Sequence, residues 1–204
     1  MPVAFGPTSR FPAGLLAVEL PVGEIVVRVH HRDRGSIFFG PTHGVPPQNR
    51  FDAPSGEYRV LYAAERLEGA FVESVLRRPA GRVLRRAFVE ERMWAPLRFG
   101  RSVTLAKILD EGLQFHHIDA SVSASDDYAG SRALALALYT DFPSLDGLAY
   151  RSRFNNGEVC FAIFDRVLPS DLAAMPGQRF DAHPRRVDEL MTLHGAVFDT
   201  SSAV

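Results

Sequence analysis

The sequence predicts an α+β domain, and three observations lead there. Strand-like and helix-like segments alternate without the regular spacing of βαβ units, which argues against a doubly wound parallel sheet. Two apolar runs, Gly147 to Ser152 and Val159 to Phe164, flank an Asn155-Asn156-Gly157 turn and read as paired strands. The chain has 204 residues, 46% apolar and 23% charged, which fits one globular domain. That is long enough to bury a core without disulfides or structural metal.

Taken in order, residues 1–24 carry Pro2, Pro7, Pro12 and Pro21 and are expected to be an extended N-terminal arm around the core. Ile25 to His30 is a β-branched run and reads as a strand. Gly35 to Pro54 is dense in Gly, Pro and Asn and reads as a long loop, a length that tends to carry function. Tyr58 to Ala64 reads as a strand entered through the turn Pro54-Ser55-Gly56. Glu65 to Arg78 follows as a helix with Leu67, Ala70, Phe71, Val75 and Leu76 at helical spacing and Pro79 as its stop.

Gly81 to Glu90 is expected to be another strand, and Leu105 to Glu111 a short helix ended by Gly112. Asp126-Asp127 places acid at the start of a helix from about Tyr128 to Thr140, which favours its dipole. A short helix is expected near Arg186 to Leu193. The organisation expected is an arm over 1–24, a core over 25–167 and a C-terminal extension over 168–204 that packs on the core.

Composition removes several function classes. Basic and acidic residues number 23 and 24, leaving a formal charge of -1, so no global basic field points to nucleic acid. Lys107 is the sole lysine, so 22 of the 23 positive charges are arginine, the side chain that binds phosphate bidentately. A single cysteine, Cys160, excludes an internal disulfide and a multi-cysteine zinc site. Cys160 lies in an apolar strand and reads as a buried small hydrophobe. The pairs His30-His31 and His116-His117 do not suit chelation of one metal, because strand neighbours point to opposite faces. No metal is expected.

Met1 to Arg10 lacks the pattern of a signal peptide, and the longest apolar stretch, Ala133 to Tyr139, is too short to span a membrane. The expected location is the cytoplasm. Dinucleotide-fingerprint, P-loop, nucleophile-elbow and HExxH motifs are all missing.

The informative segment is Gln48 to Glu73. Arg50 ends the long loop, Tyr62 lies in the strand, and Glu73 sits on the helix among Phe71, Val72 and Val75. Ala70 and Glu73 are neighbours on one helix face. A carboxylate at an apolar boundary needs a partner or a task, the plain alternative being a salt bridge to a nearby arginine.

The ordered blocks NRFD (49–52), LYAA (61–64), AFVE (70–73) and DGLAYRSR (146–153), the last followed by an apolar strand, resemble the RES domain family over about Ile25 to Val167. The resemblance implies a single domain with an ADP-ribosyltransferase-like fold, mixed central sheets flanked by helices. It implies a toxin of a bacterial toxin–antitoxin pair that acts on NAD as substrate. The implied partner is a cognate antitoxin carrying a helix-turn-helix DNA-binding domain, forming a hetero-oligomer. Residue by residue, it places arginines at Arg28 and Arg50, a tyrosine at Tyr62, a glutamate at Glu73 and a serine at Ser152. Two departures stand out: Val29-His30 where an aromatic residue commonly follows the first arginine, and Pro47-Gln48-Asn49 where a GG pair commonly precedes the second. Phe51 stands where the family often has tryptophan.

These residue types suit cleavage of the nicotinamide–ribose bond, which builds positive charge on the ribose. An ionised Glu73 beside that ribose would stabilise the charge as it forms. Arg28 and Arg50 would clamp the diphosphate. Tyr62 would stack on nicotinamide or ribose, and Ser152 would donate a hydrogen bond to the substrate. Arg151 and Arg153, which bracket Ser152, are candidates for the rim. Phosphate or water as acceptor makes the enzyme degradative, and a protein acceptor makes it an ADP-ribosyltransferase. A non-catalytic, degenerate nucleotide-binding module is the remaining alternative.

Overall fold

Alternation of buried and half-covered residues along Leu15–Leu20 shows how this chain enters its sheet, with Leu15 and Ala17 fully enclosed. The computed structural model describes residues 3–77 and 82–200. Within the 1–24 segment the chain supplies β1 (Val3–Phe5) and β2 (Leu15–Leu20), both in the main sheet. Its prolines and glycines punctuate the strands instead of preventing them. Gly14, at φ +81°, makes the return between β1 and β2, where a Cβ would meet the Phe5 carbonyl at 2.2 Å.

The chain continues through β3 (Ile25–His31), the long loop, β4 (Val60–Ala64) and α1 (Leu67–Ser74). The helix is shorter than the pattern of Glu65 to Arg78 suggests, and Arg78 and Pro79 lie outside the described residues. Over Gly81 to Glu90 the structure departs from the expected strand. Gly81 lies outside the described residues, Val83–Leu84 forms a two-residue β5, and Arg86–Glu90 forms α2. Two residues beside a string of arginines are too few to sustain a strand, and Arg86, Ala87 and Glu90 are helix-favouring residues that suit a helical turn. Strand β6 (Arg92–Phe99) had no sequence counterpart, Pro96 within it masking the pattern.

The expected helix at Leu105 to Glu111 is also replaced. Val103–Ile108 is β7, and a helix, α3 (Glu111–Phe115), begins only after it. A central strand covered on both faces loses the alternation that would reveal it. Gly112 lies inside α3, not at a helix end. Its missing side chain lets the helix sit on the Lys107 carbonyl, 1.9 Å from where a Cβ would be.

After α4 (Ser121–Ala124) comes α5 (Ala129–Asp141), whose start is fixed by the Asp127 carboxylate accepting the Ala129 N–H at 2.9 Å. Strands β8 (Gly147–Arg151) and β9 (Val159–Phe164) pair antiparallel around the Asn-Gly turn, as the sequence predicts. The C-terminal segment adds β10 (Leu172–Ala174), β11 (Gln178–Arg179), α6 (Pro184–Leu193) and β12 (Val197–Phe198). Both β10 and β11 pair with β6, and Phe180 packs against Trp94 and Phe71 with ring centroids at 4.7 and 5.5 Å.

Among the described residues, ten strands form one mixed sheet in the order β1-β2-β7-β8-β9-β4-β3-β6-β10, with β11 also on β6. The pair β7·β8 is parallel and its neighbours are antiparallel. Apolar clusters cover both faces. This is an α+β domain with a large mixed sheet flanked by helices.

One seam in the sheet positions everything that follows. Strand β3 pairs with β6 along its whole length, from Ile25 opposite Arg98 to His31 opposite Arg92. Strand β4 likewise pairs with β9 from Val60 to Ala64. Between them β3 and β4 share one register pair, Val27 opposite Ala64. Beyond it the two strands splay, and α1 packs over the opening.

Candidate active site

The splay between β3 and β4 opens into a cavity of about 300 Å³. Strand β3 contributes Arg28 to its wall, the loop Arg50, β4 Tyr62, and α1 Glu73. Ser152 is fully enclosed behind Glu73, and its Oγ donates to Glu73 Oε1 at 2.6 Å. The backbone N–H groups of Phe154 and Asn155 donate to the same Oγ at 3.2 and 3.3 Å. Those two donors leave the hydroxyl proton one direction to point, at the carboxylate. Glu73 is thus aimed by a buried serine and makes no arginine salt bridge among the described residues.

Arg28 turns its guanidinium into the seam, where Nη1 donates to the Tyr62 carbonyl at 3.5 Å. Its Nε is buried without a partner. Burial, and then the charge of Arg34, push the guanidinium down to about 10. A buried donor left unmatched in the free protein is costly, and here it faces a cavity.

Arg50 is 7% exposed, with Nη1 donating to the carbonyls of Ser125 at 2.9 Å and Val122 at 3.3 Å. Its guanidinium lies 4.6 Å over the Tyr128 ring. Burial lowers its pKa against the opposing pull of Tyr128, Tyr150 and Glu73. Directly after it, Phe51 is fully enclosed and meets Tyr150 edge-on at 4.8 Å.

The loop holding Arg50 is tied down by Asp52, whose side chain is fully enclosed. Its Oδ2 accepts the backbone N–H groups of Gln48 and Asn49 at 2.8 and 2.7 Å. Its Oδ1 accepts the Tyr62 hydroxyl at 2.9 Å, and that hydroxyl in turn accepts the Phe51 N–H at 3.0 Å. The backbone donors of Gln48 and Asn49 are therefore already occupied by an internal carboxylate. Tyr62 is a lining residue of the cavity, and its hydroxyl anchors the loop, a different arrangement from a phenol presented to ligand. Val29, the other departure, is buried in the core.

Arg151 and Arg153 are not among the cavity-lining residues. Arg151 pairs with Asp110 at 3.1 Å, and Arg153 pairs with Asp126. Three lining arginines were not anticipated: Arg34, Arg77 and Arg92. Arg77 was within reach of pattern reading, because it lies one helical turn beyond Glu73. Arg92 depends on the β3–β6 pairing, which sequence periodicity does not show, and Arg34 follows the end of β3. Aromatic walls come from Tyr128, Tyr150 and Phe154. Burial and the nearby Glu73 charge push the Tyr150 phenol well above its usual range, so it is neutral.

The same burial pushes the Cys160 thiol up, which suits a packing residue and not a nucleophile. Among the described residues, no group of three or more His, Cys, Asp or Glu is placed to hold a metal. No helix among them is long and apolar enough to cross a membrane.

The RES domain family model matches residues 25–183. The chain belongs to the RES domain family. The match runs beyond Val167 through β10, β11 and Phe180, so that part of the C-terminal segment lies within the RES domain. The RES fold here is similar to a chain from the crystal structure of the M. tuberculosis MbcT–MbcA toxin–antitoxin complex, with a TM-score of 0.65. That alignment covers 85% of this chain and 92% of the other at 15% identity, and it shows a shared fold. No curated protein matches the chain by sequence.

Proposed function

We propose that this RES protein is the toxin of a bacterial toxin–antitoxin pair and cleaves the nicotinamide–ribose bond of NAD, with phosphate or water as acceptor. The observation that carries the reading is the opposed arrangement in one cavity: a serine-aimed Glu73 carboxylate and a wall of arginines that make no ion pair among the described residues. A substrate with a ribose that becomes cationic and a diphosphate that stays anionic matches those two poles.

In this reading Glu73 accepts a ribose hydroxyl and stabilises the oxocarbenium-like charge as the bond to nicotinamide breaks. Ser152 is a positioning residue that keeps the carboxylate oxygen oriented. Arg28 and Arg50 hold the diphosphate, Arg28 spending the donor that has no partner in the free protein. The aromatic walls pack on nicotinamide, which leaves as a neutral base with the electron pair of the broken bond. The acceptor oxygen then bonds to the anomeric carbon and releases a proton.

The partner is an antitoxin with a helix-turn-helix domain, forming a hetero-oligomer in the cytoplasm. Support for a partner comes from the fold neighbour, which was crystallised in a toxin–antitoxin complex. Nicotinamide release from NAD by the purified protein tests the activity, with phosphate present or absent. Product analysis separates ADP-ribose, its phosphate and a labelled protein. The expected result is turnover that falls about 10²–10³-fold in Glu73→Gln, the scale of losing one electrostatic contact to the transition state. No turnover by the unmodified protein, or equal turnover by Glu73→Gln, overturns the reading.

A further inference from the structure

The cavity holds more positive charge than a diphosphate requires. Five arginines line it, Arg28, Arg34, Arg50, Arg77 and Arg92, against the single carboxylate of Glu73. None of the five makes an ion pair among the described residues, whereas Arg10, Arg59, Arg66, Arg101, Arg151 and Arg186 all pair with carboxylates elsewhere. The nearby acids are already engaged. Asp33 and Glu91 flank His31 at 3.4 and 3.7 Å.

The five guanidiniums are not evenly spread. Arg50 belongs to the Glu73 end, with which it interacts electrostatically. Arg28 and Arg34 repel one another at the β3 end, and burial and Arg28 hold His30 below its usual range. Arg92 sits there too, in register with His31 across the β3–β6 ladder. Its Nη1 is spent on the Phe88 carbonyl, leaving its charge unopposed by a direct carboxylate contact. A like-charge group of this kind is unfavourable in the free protein and is relieved by an anion.

We propose that Arg34 and Arg92, at the β3 end beside the diphosphate-holding Arg28, form a phosphomonoester subsite, and that the preferred substrate is a nicotinamide dinucleotide carrying a phosphomonoester besides its diphosphate. This rests on the reading of the cavity as a dinucleotide site. A diphosphate bridge brings two negative charges, and a phosphomonoester adds between one and two more near neutral pH, closer to the charge of the arginine wall.

Binding and turnover test it separately. Titration calorimetry with 2′,5′-ADP and with 5′-AMP compares a ligand that has the extra monoester with one that lacks it. The expected result is at least tenfold tighter binding of 2′,5′-ADP, with most of that ratio lost in Arg34→Gln/Arg92→Gln. The ratio is kept in Arg98→Gln, an exposed arginine outside the cavity. A ratio near one, no binding of either ligand, or a ratio untouched by the double variant overturns the proposal. Nicotinamide release from NAD and NADP then separates the two claims. Better turnover of NADP supports both. Turnover of NAD with little of NADP sinks the subsite preference and leaves NAD cleavage standing. Tighter 2′,5′-ADP binding with no turnover of either dinucleotide keeps the subsite and removes the cleavage.

Discussion

Arg28 carries the tension between stability and function in this molecule. Its Nε is enclosed without an acceptor and its pKa is lowered to about 10, from burial first and Arg34 second. A cation whose folded pKa lies below its unfolded value penalises the folded state at neutral pH, where both states are charged. The penalty fades as pH rises from about 10 toward the unfolded value. Its size is on the order of 3 kcal/mol. Arg28→Met is therefore expected to raise the melting temperature at pH 7 while abolishing stabilisation by added pyrophosphate. A thermal melt with and without pyrophosphate reads both effects, and a lower melting temperature in the variant contradicts this account.

At this scale the sequence was informative about identity and silent about connection. Arg28, Tyr62 and Glu73 all reach one cavity, and Ser152 reaches it through Glu73. That Asp52 would organise the loop was not visible, because a carboxylate meeting backbone N–H groups three and four residues away leaves no periodic trace. That Arg151 and Arg153 pair with carboxylates and do not line the cavity was hidden for a similar reason. Their partners, Asp110 and Asp126, are close in space and remote along the chain.

Among the elements, the error at β7 falls where burial is greatest. Strand β7 lies between β2 and β8 with apolar contacts on both faces, so its short apolar run reads equally well as a helix. Strands at the hairpin β8–β9 and the capped helix α5 were legible because turn and cap chemistry mark them locally. The junction of β7 and α3 makes a sharp test. A methyl group at Gly112 would sit 1.9 Å from the Lys107 carbonyl, a backbone atom held in the sheet. Gly112→Ala is expected to cost about 1–3 kcal/mol, toward the upper end because backbone cannot swing aside. Urea denaturation measures it, and a change within about 0.5 kcal/mol, the range of an ordinary surface substitution, would show that the helix simply shifts.

For the whole molecule, a formal charge of -1 conceals a strongly uneven distribution, with five arginines that make no ion pair among the described residues gathered at one seam. Composition alone could not place them. The wide sheet and its strand order were likewise beyond local reading, since the β3–β6 and β2–β7 pairings join segments far apart in sequence. Global stability should also respond to acid. His116 Nε2 donates to the Leu16 carbonyl at 3.2 Å, which leaves a bare, buried Nδ1, and His194 Nε2 is also buried without a partner. Burial lowers the pKa of His30, His116 and His194. The unfolded chain therefore binds more protons as pH falls below about 6.5, and folding free energy declines with it. Melting temperature is expected to drop between pH 7.5 and 5.5, and to drop less in His116→Gln. An unchanged melting temperature across that interval would contradict it.

The carboxylate of Asp52 has a kinetic consequence. It fills, from within the chain, the pair of backbone donors that an incoming anion would otherwise have to organise. The conformational entropy of the Arg50 loop is surrendered when the protein folds, not when a ligand arrives. Encounter then needs no slow rearrangement of that wall, so association is governed by diffusion and by the field of the arginines, and should slow steeply as salt is added.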